Sequence, residues 1–150
     1  MSRSQIYDGT DWVDMTGLGQ TPDFLEVGRS SSLAINNTYT ARAWNNVIED
    51  TGGWFTSGNS YWTPTNSGLY LIDCHVGTSG ATGMYFQLYD ETNSVILLNQ
   101  QRVNTSIYSG AFHAMFRLVG GNDYSIHIYV STNTDMIAGN RTRLTVTGPF

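Results

Sequence analysis

From Gly68 to Val76 the chain alternates without a break. Tyr70, Ile72, Cys74 and Val76 fall on one side of an extended backbone, and Leu69, Leu71, Asp73 and His75 on the other, because successive side chains of a strand point to opposite faces. The strand starts cleanly. Pro64 has no N–H to give to a ladder, and Asn66-Ser67-Gly68 supplies the turn after it. The first face reads as an ordinary core face. The second should be wet on a one-sided sheet, yet it begins with two leucines. A chain built on this strand must bury one face in its own core and cover the other with something further.

The same period of two recurs. Met84, Phe86 and Leu88 alternate with Tyr85, Gln87 and Tyr89. Phe112, Ala114, Phe116 and Leu118 make one face, Tyr124, Ile126, Ile128 and Val130 another, and Leu144 and Val146 close the last strand. Ser32 to Ile35 and Tyr39 to Ile48 are predicted strands. Trp54-Phe55 is a short anchored segment. Val95 to Leu98 is a continuous apolar run, which predicts a strand covered on both faces. Gly77 to Gly83 reads as a flexible loop, Gln100 to Ser109 as a polar loop or strand, and Ser131 to Asn140 as a polar loop. No stretch carries helical periodicity. Short alternating strands between Gly- and Asn-rich turns predict an all-β antiparallel sandwich or barrel.

Residues 1–28 differ in character. Gln5-Ile6-Tyr7 and Trp12-Val13 flank Asp8-Gly9-Thr10-Asp11, a hairpin signal. A breaker-rich linker, Thr16 to Pro22, and a lead-in strand, Phe24 to Val27, follow. The expected division is an N-terminal arm, 1–28, and a single domain, 29–150. An arm of this size holds no core alone, so it packs on the domain or docks on something else.

Charge narrows the function. Charged residues make up 13% of the 150 residues and the net charge is −5; nucleic-acid binding wants a basic face. All positive side chains are Arg, and the chain has no Lys. No apolar run is long enough to span a membrane as a helix, and no apolar signal segment opens the chain, which reads as complete from Met1. There is no Gly-x-Ser-x-Gly, His-Glu-x-x-His or Walker loop. Cys74 and His75 are neighbours on a strand and point to opposite faces, so they form no dyad. The expectation is a protein that is not an enzyme. No EF-hand spacing and no His/Cys cluster is visible along the chain, so no metal site is expected. Cys74, alone on the core face, reads as a small buried hydrophobe.

Several motifs converge on a family. Pro64…Gly68-Leu69-Tyr70-Leu71-Ile72 is similar to a P-x-x-G-x-Y-x-hydrophobic strand. Phe116-Arg117-Leu118…Gly121-Asn122-Asp123-Tyr124-Ser125-Ile126 is similar to an L-x-x-G-D-x-V-x-L hairpin. Leu144-Thr145-Val146-Thr147-Gly148 is similar to a closing strand. Together with Ile35-Asn36-Asn37-Thr38…Ala43-Trp44, they resemble the C1q/tumour-necrosis-factor-like jelly roll of phage and bacterial proteins. The hairpin departs from the pattern by Asn122, inserted between Gly121 and Asp123, which would shift its turn by one residue. Tyr7-Asp8-Gly9-Thr10-Asp11-Trp12-Val13-Asp14 also resembles pieces of phage virion proteins.

The resemblance implies an antiparallel jelly-roll sandwich with an N-terminal extended arm. It also implies a compact homotrimer in which one sheet of each protomer faces the three-fold axis. The candidate trimer-interface residues are Leu69, Leu71, Asp73, His75, His113, Met115 and Arg117. Leu and Met together do not suit a solvent face, Met and Arg are enriched at interfaces, and the histidines read as hydrogen-bonded structural groups. The expected role is a virion part: a phage capsid decoration (cement) protein whose arm grips the major capsid protein or another virion protein through Ile6, Tyr7, Trp12, Val13, Phe24 and Leu25. The alternative is a receptor-binding tail-fibre or tail-tip head that recognises host glycan through Tyr85, Gln87, Tyr89 and Tyr129; cross-strand aromatic pairing is the plainer reading of these four. No cofactor is expected, and calcium, which some family members bind, is the one ion the resemblance leaves open.

Overall fold

The computed structural model describes residues 5–7, 12–14 and 21–150, with side chains described for 21–80, 83–99 and 108–150. In chain order the strands are β1 (Gln5–Tyr7), β2 (Trp12–Asp14), β3 (Asp23–Gly28), β4 (Leu33–Ile35), β5 (Thr40–Ala41), β6 (Asn46–Asp50), β7 (Tyr61–Trp62), β8 (Gly68–Asp90), β9 (Val95–Leu118), β10 (Tyr124–Val130), β11 (Thr134–Met136) and β12 (Arg143–Gly148). All pairings are antiparallel. β1 and β2 form a separate hairpin with Gln5 opposite Asp14.

Two strands run through both layers of the sandwich. The first part of β8 lies between β12 and the last part of β9, and β12 continues to β3 and β6. The last part of β8 lies between β10 and the first part of β9, and β10 also pairs with β5 and β7. The segment 77–83, expected as a loop, is therefore strand. Its pairing with β9 shifts register between Gly77 and Ala81 and again between Ala81 and Gly83. Such bulges bend a strand, and here they carry it from one sheet to the other. β11 arises inside the expected loop 131–140 and pairs with β4 and with Thr78 at this bend. The polar stretch after Gln100 is also strand, part of β9.

The core sits between the layers. Tyr70, Ile72, Cys74 and Val76 are all fully buried, as the alternation predicts. They meet Phe112, Ile126, Ile128, Leu144 and Val146 in one cluster, with Phe86 and Phe112 rings 6.2 Å apart. Trp44, Trp54 and Trp62 belong to it too. Trp54 is held by the Asp50 carboxylate, which accepts the N–H of Trp54 at 3.0 Å and of Phe55 at 2.9 Å; its ring stands edge-on to Tyr70. Burial pushes the Tyr70 phenol up to about 12, with Asp23 and Tyr124 adding, while its hydroxyl donates to the Asn66 carbonyl at 2.6 Å.

The run Val95 to Leu98 is not covered on both faces. Val95 and Ile96 are each 47% exposed, and only Leu97 packs on the core. The reason is topological: this part of β9 is the edge of its sheet, paired with β8 alone. Asn122 does not disturb the β9–β10 turn. Gly121 takes φ +83, which costs a glycine little, and the Asn122 amide donates to Asp90 Oδ2 at 3.1 Å. Tyr124 and Ile126 stay on the core side.

Two expected results follow from buried groups. Burial, then the Asp73 carboxylate, pushes the Cys74 thiol far above its usual range. Reactivity follows the thiolate and exposure, so a disulfide-exchange reagent should leave the folded protein untouched and label it once per chain after denaturation. Labelling without denaturant would mean that the β8–β12 layer opens. At the β8–β9 turn, burial alone would raise the Asp90 carboxyl. Hydrogen bonds from the Asn93 side chain and backbone, from Asn122 and from Thr92 outweigh it, and the net shift is downward. Its contribution is therefore full above the unfolded value, about pH 4, and is lost as pH falls through the lower folded value. Asp90→Ala should cost about 1–3 kcal/mol at neutral pH by leaving these donors unpaired, and less in acid. Denaturant titrations of both proteins at the two pH values measure the difference.

Candidate functional site

The outward face of the β6–β3–β12–β8–β9 sheet is ordered in rows, because facing residues are fixed by register. One row runs Phe24, Thr147, Leu71, Met115 across β3, β12, β8 and β9. The next runs Glu26, Thr145, Asp73, His113, and the third Gly28, Arg143, His75, Ala111. Leu69 faces Arg117 beside the first row. All seven residues expected at an interface thus lie on one continuous face of two adjacent strands.

The β8–β9 end of the first row is apolar and open. Leu71 is 43% and Met115 60% exposed, and they sit directly opposite one another. The second and third rows are polar. His113 Nδ1 lies 3.2 Å from Asp73 Oδ2, and His75 Nε2 3.6 Å from Asp73 Oδ1. The two imidazoles meet edge to face, 5.5 Å apart. Asp73 Oδ1 is closed off from solvent and accepts no hydrogen bond. Arg143 pairs with Glu26 and donates to Asn140 Oδ1 at 2.9 Å. These groups border a cleft of about 410 Å³ beside Asp73 and His75.

Alternation along β12 could have placed Arg143, Thr145 and Thr147 on an outward face from sequence. Their adjacency to β8 could not have been read, since the partners lie far apart along the chain. The histidines differ: His75 and His113 form no local motif, but the family resemblance implied that their strands are neighbours, and the β8–β9 register brings both onto one carboxylate.

Two of the expected attachment residues are placed differently. β3 lies between β12 and β6, so the lead-in strand packs on the domain. Leu25 is fully buried in the core and offers no attachment surface. Phe24 points the other way, onto the face carrying Leu71, because neighbours on a strand alternate. The side chains of Ile6, Tyr7, Trp12 and Val13 lie outside the described residues.

On the opposite side of the sandwich, Tyr85 and Tyr129 are half-buried and meet edge to face at 5.3 Å. Tyr39, which sequence reasoning did not join to them, stacks on Tyr129 at 5.0 Å. Tyr89 stacks on His127 at 4.3 Å. Gln87, expected as an exposed amide among them, is buried, because it stands between Tyr85 and Tyr89 and opposite His127. A shallow cleft of about 490 Å³ adjoins Tyr39, Tyr61, Glu91 and His127. There Glu91 Oε1 accepts from Ser125 at 2.6 Å and lies 2.9 Å from His127 Nε2.

No protein-family profile matches the sequence, and no curated protein does. Solved structures do match in fold. Eiger TNF from S. frugiperda is similar with a TM-score of 0.62 at 9% identity, over 85% of this chain and 92% of that one. Murine APRIL is similar with a TM-score of 0.61 at 14% identity, over 84% and 98%. The globular domain of zebrafish complement 1qA is similar with a TM-score of 0.58 at 15% identity, over 83% and 94%. At such identities the likeness shows the fold, a C1q/TNF-like antiparallel jelly roll.

Proposed function

We propose that the chain is a self-assembling structural module of a phage particle: a homotrimeric capsid decoration protein that joins through the Leu71–Met115 face and grips the shell with its N-terminal arm. One observation carries the reading. A folded domain with a buried core still presents an exposed Leu–Met pair on the outward face of β8 and β9, with Leu69 beside it and Phe24 further along the same row. Large apolar side chains on a regular sheet face favour a partner, and fully covering one contributes about 1.5–3 kcal/mol. The partner that fits is a second copy. The same face offers Glu26 and Asp73 as acids and Arg117, Arg143 and two histidines as bases, so copies can meet with complementary charge. The resemblance to C1q/TNF-like trimers points to the same sheet. Three arms on one trimer would then bind a shell with avidity.

Co-sedimentation tests the decoration role. Purified protein should pellet with phage shells that lack it and should raise their resistance to heat. Failure to pellet with any shell of the host phage would remove the capsid role.

A second reading, a glycan-recognising fibre or tail-tip head, draws on the Tyr39–Tyr129–Tyr85 cluster and the acidic cleft beside it. Aromatic faces with adjacent hydrogen-bonding groups suit sugar rings. On this reading purified protein blocks phage adsorption to cells, and Tyr129→Ala abolishes the block while leaving shell binding unchanged. Unimpeded adsorption at saturating protein would exclude it.

A further inference from the structure

We propose that Asp73, His75 and His113 form a binding site for a divalent transition metal, with Zn²⁺ the best match. Among the described residues they are the one group of three His, Cys, Asp or Glu side chains whose donor atoms converge, all lying within 4.8 Å of one another. Every ligand comes from the same protomer, and two adjacent strands fix them. Asp73 and His75 are alternate residues of β8, while His113 stands opposite Asp73 on β9. All three lie within an unbroken register running from Gly68 to Gly77, so strand pairing fixes their relative positions and side-chain rotation can bring the donors onto an ion.

The chemistry of the donor set selects the metal. Two imidazole nitrogens and a carboxylate oxygen suit Zn²⁺ and related first-row ions; calcium and magnesium take oxygen ligands. Zn²⁺ sites bind at about 2.0–2.2 Å to N and O ligands, which places ligand atoms a little over 3 Å from one another. His113 Nδ1 lies 3.2 Å from Asp73 Oδ2 and His75 Nε2 3.6 Å from Asp73 Oδ1, and with one donor from each residue the set spans up to 4.8 Å, so the side chains draw together when the ion binds.

Asp73 itself points to a missing partner. Its Oδ1 is shielded from solvent yet accepts no hydrogen bond. A buried carboxylate oxygen without a donor is unfavourable, and a cation on the His75 side would satisfy it. Three protein ligands leave one position of a tetrahedral site open. Because both histidines are exposed, that position is open to water. If the assembly reading holds, it also faces the neighbouring copy. The metal site rests on its own geometry and does not depend on that reading.

Titration of the full-length protein with ZnCl₂ by calorimetry, repeated with CaCl₂, tests the site. One Zn²⁺ per chain with no calcium heat is expected. His113→Ala and Asp73→Asn should each weaken binding by more than about 100-fold, since even an outer-shell partner is worth 10–100-fold. Wild-type protein that takes up no zinc, or variants that bind as tightly as wild type, would overturn the proposal. Should a variant fail to fold, imidazole NMR of the wild-type protein decides: zinc must perturb His75 and His113 and leave His127, the third histidine, unchanged. Perturbation of His127 instead would place the ion elsewhere. Leu71→Asp separates this proposal from the assembly reading. It should still bind one zinc per chain as a monomer; a monomer that binds no zinc would refute the metal site alone, and a trimer that binds zinc would refute the Leu71–Met115 interface alone.

Discussion

Leu71→Asp is expected to give a protein of 16.6 kDa by light scattering, against three times that mass for the unaltered chain. The side chain is 43% exposed in the single protomer and stands opposite Met115. Its replacement therefore costs the fold little: a substitution on an exposed strand position changes stability by well under about 1 kcal/mol. In the proposed assembly the same change would remove about 1.5–3 kcal/mol of apolar burial per copy and set a carboxylate against the partner's surface, close to Asp73. Met115→Asp should behave alike. The diagnostic pattern is loss of mass with an unchanged circular dichroism spectrum and a thermal transition that stays cooperative at a lower midpoint, since the assembly no longer stabilises the folded chain. A variant that keeps the trimer mass would place the interface elsewhere, with the exposed Val95–Ile96 edge the next surface to alter.

Truncation at two points should give opposite outcomes. A chain beginning at residue 21 keeps β3 and is expected to fold and trimerise but not to hold to the shell. A chain beginning at residue 29 loses β3 altogether, and with it the fully buried Leu25 and Val27 and the pairing of β12 with β6 through β3. Losing two core aliphatics costs about 2–5 kcal/mol each, and an open edge is left on β12. With net stabilities of about 5–15 kcal/mol, the shorter chain should be unfolded or aggregated. A folded trimer starting at residue 29 would show that β3 is dispensable. Shell binding by the chain starting at residue 21 would move the attachment function out of the first twenty residues.

Much of this fold was legible because alternation is a local signal. Tyr70 through Val76, Phe112 through Leu118 and Tyr124 through Val130 could each be assigned a core face from their own residues. The outward face of β8 and β9 was legible for the same reason: what is not core on an alternating strand is the other face. What the sequence concealed depends on who stands beside whom. The run at Val95 looks like a buried strand until its position at a sheet edge is known. Leu25 looks like part of an arm until β12 is found next to it. Glycines at 77, 80 and 83 signal a loop, whereas here they accommodate the bends of a strand that crosses between layers. The Asp73–His75–His113 cluster was legible in part: Asp73 and His75 share a face by alternation, whereas His113, the one member on the other strand, joins them through the β8–β9 pairing that only the family resemblance implied. The phenol cluster was half legible: Tyr85 and Tyr129 by alternation, Tyr39 only through the contact it makes.

The mass of the unaltered protein tests the central claim most directly. Native mass spectrometry of the full chain, over a dilution series and with zinc removed by chelator, should show a homotrimer of the 16.6 kDa protomer at every concentration. A single-chain species throughout the series would contradict the proposed assembly.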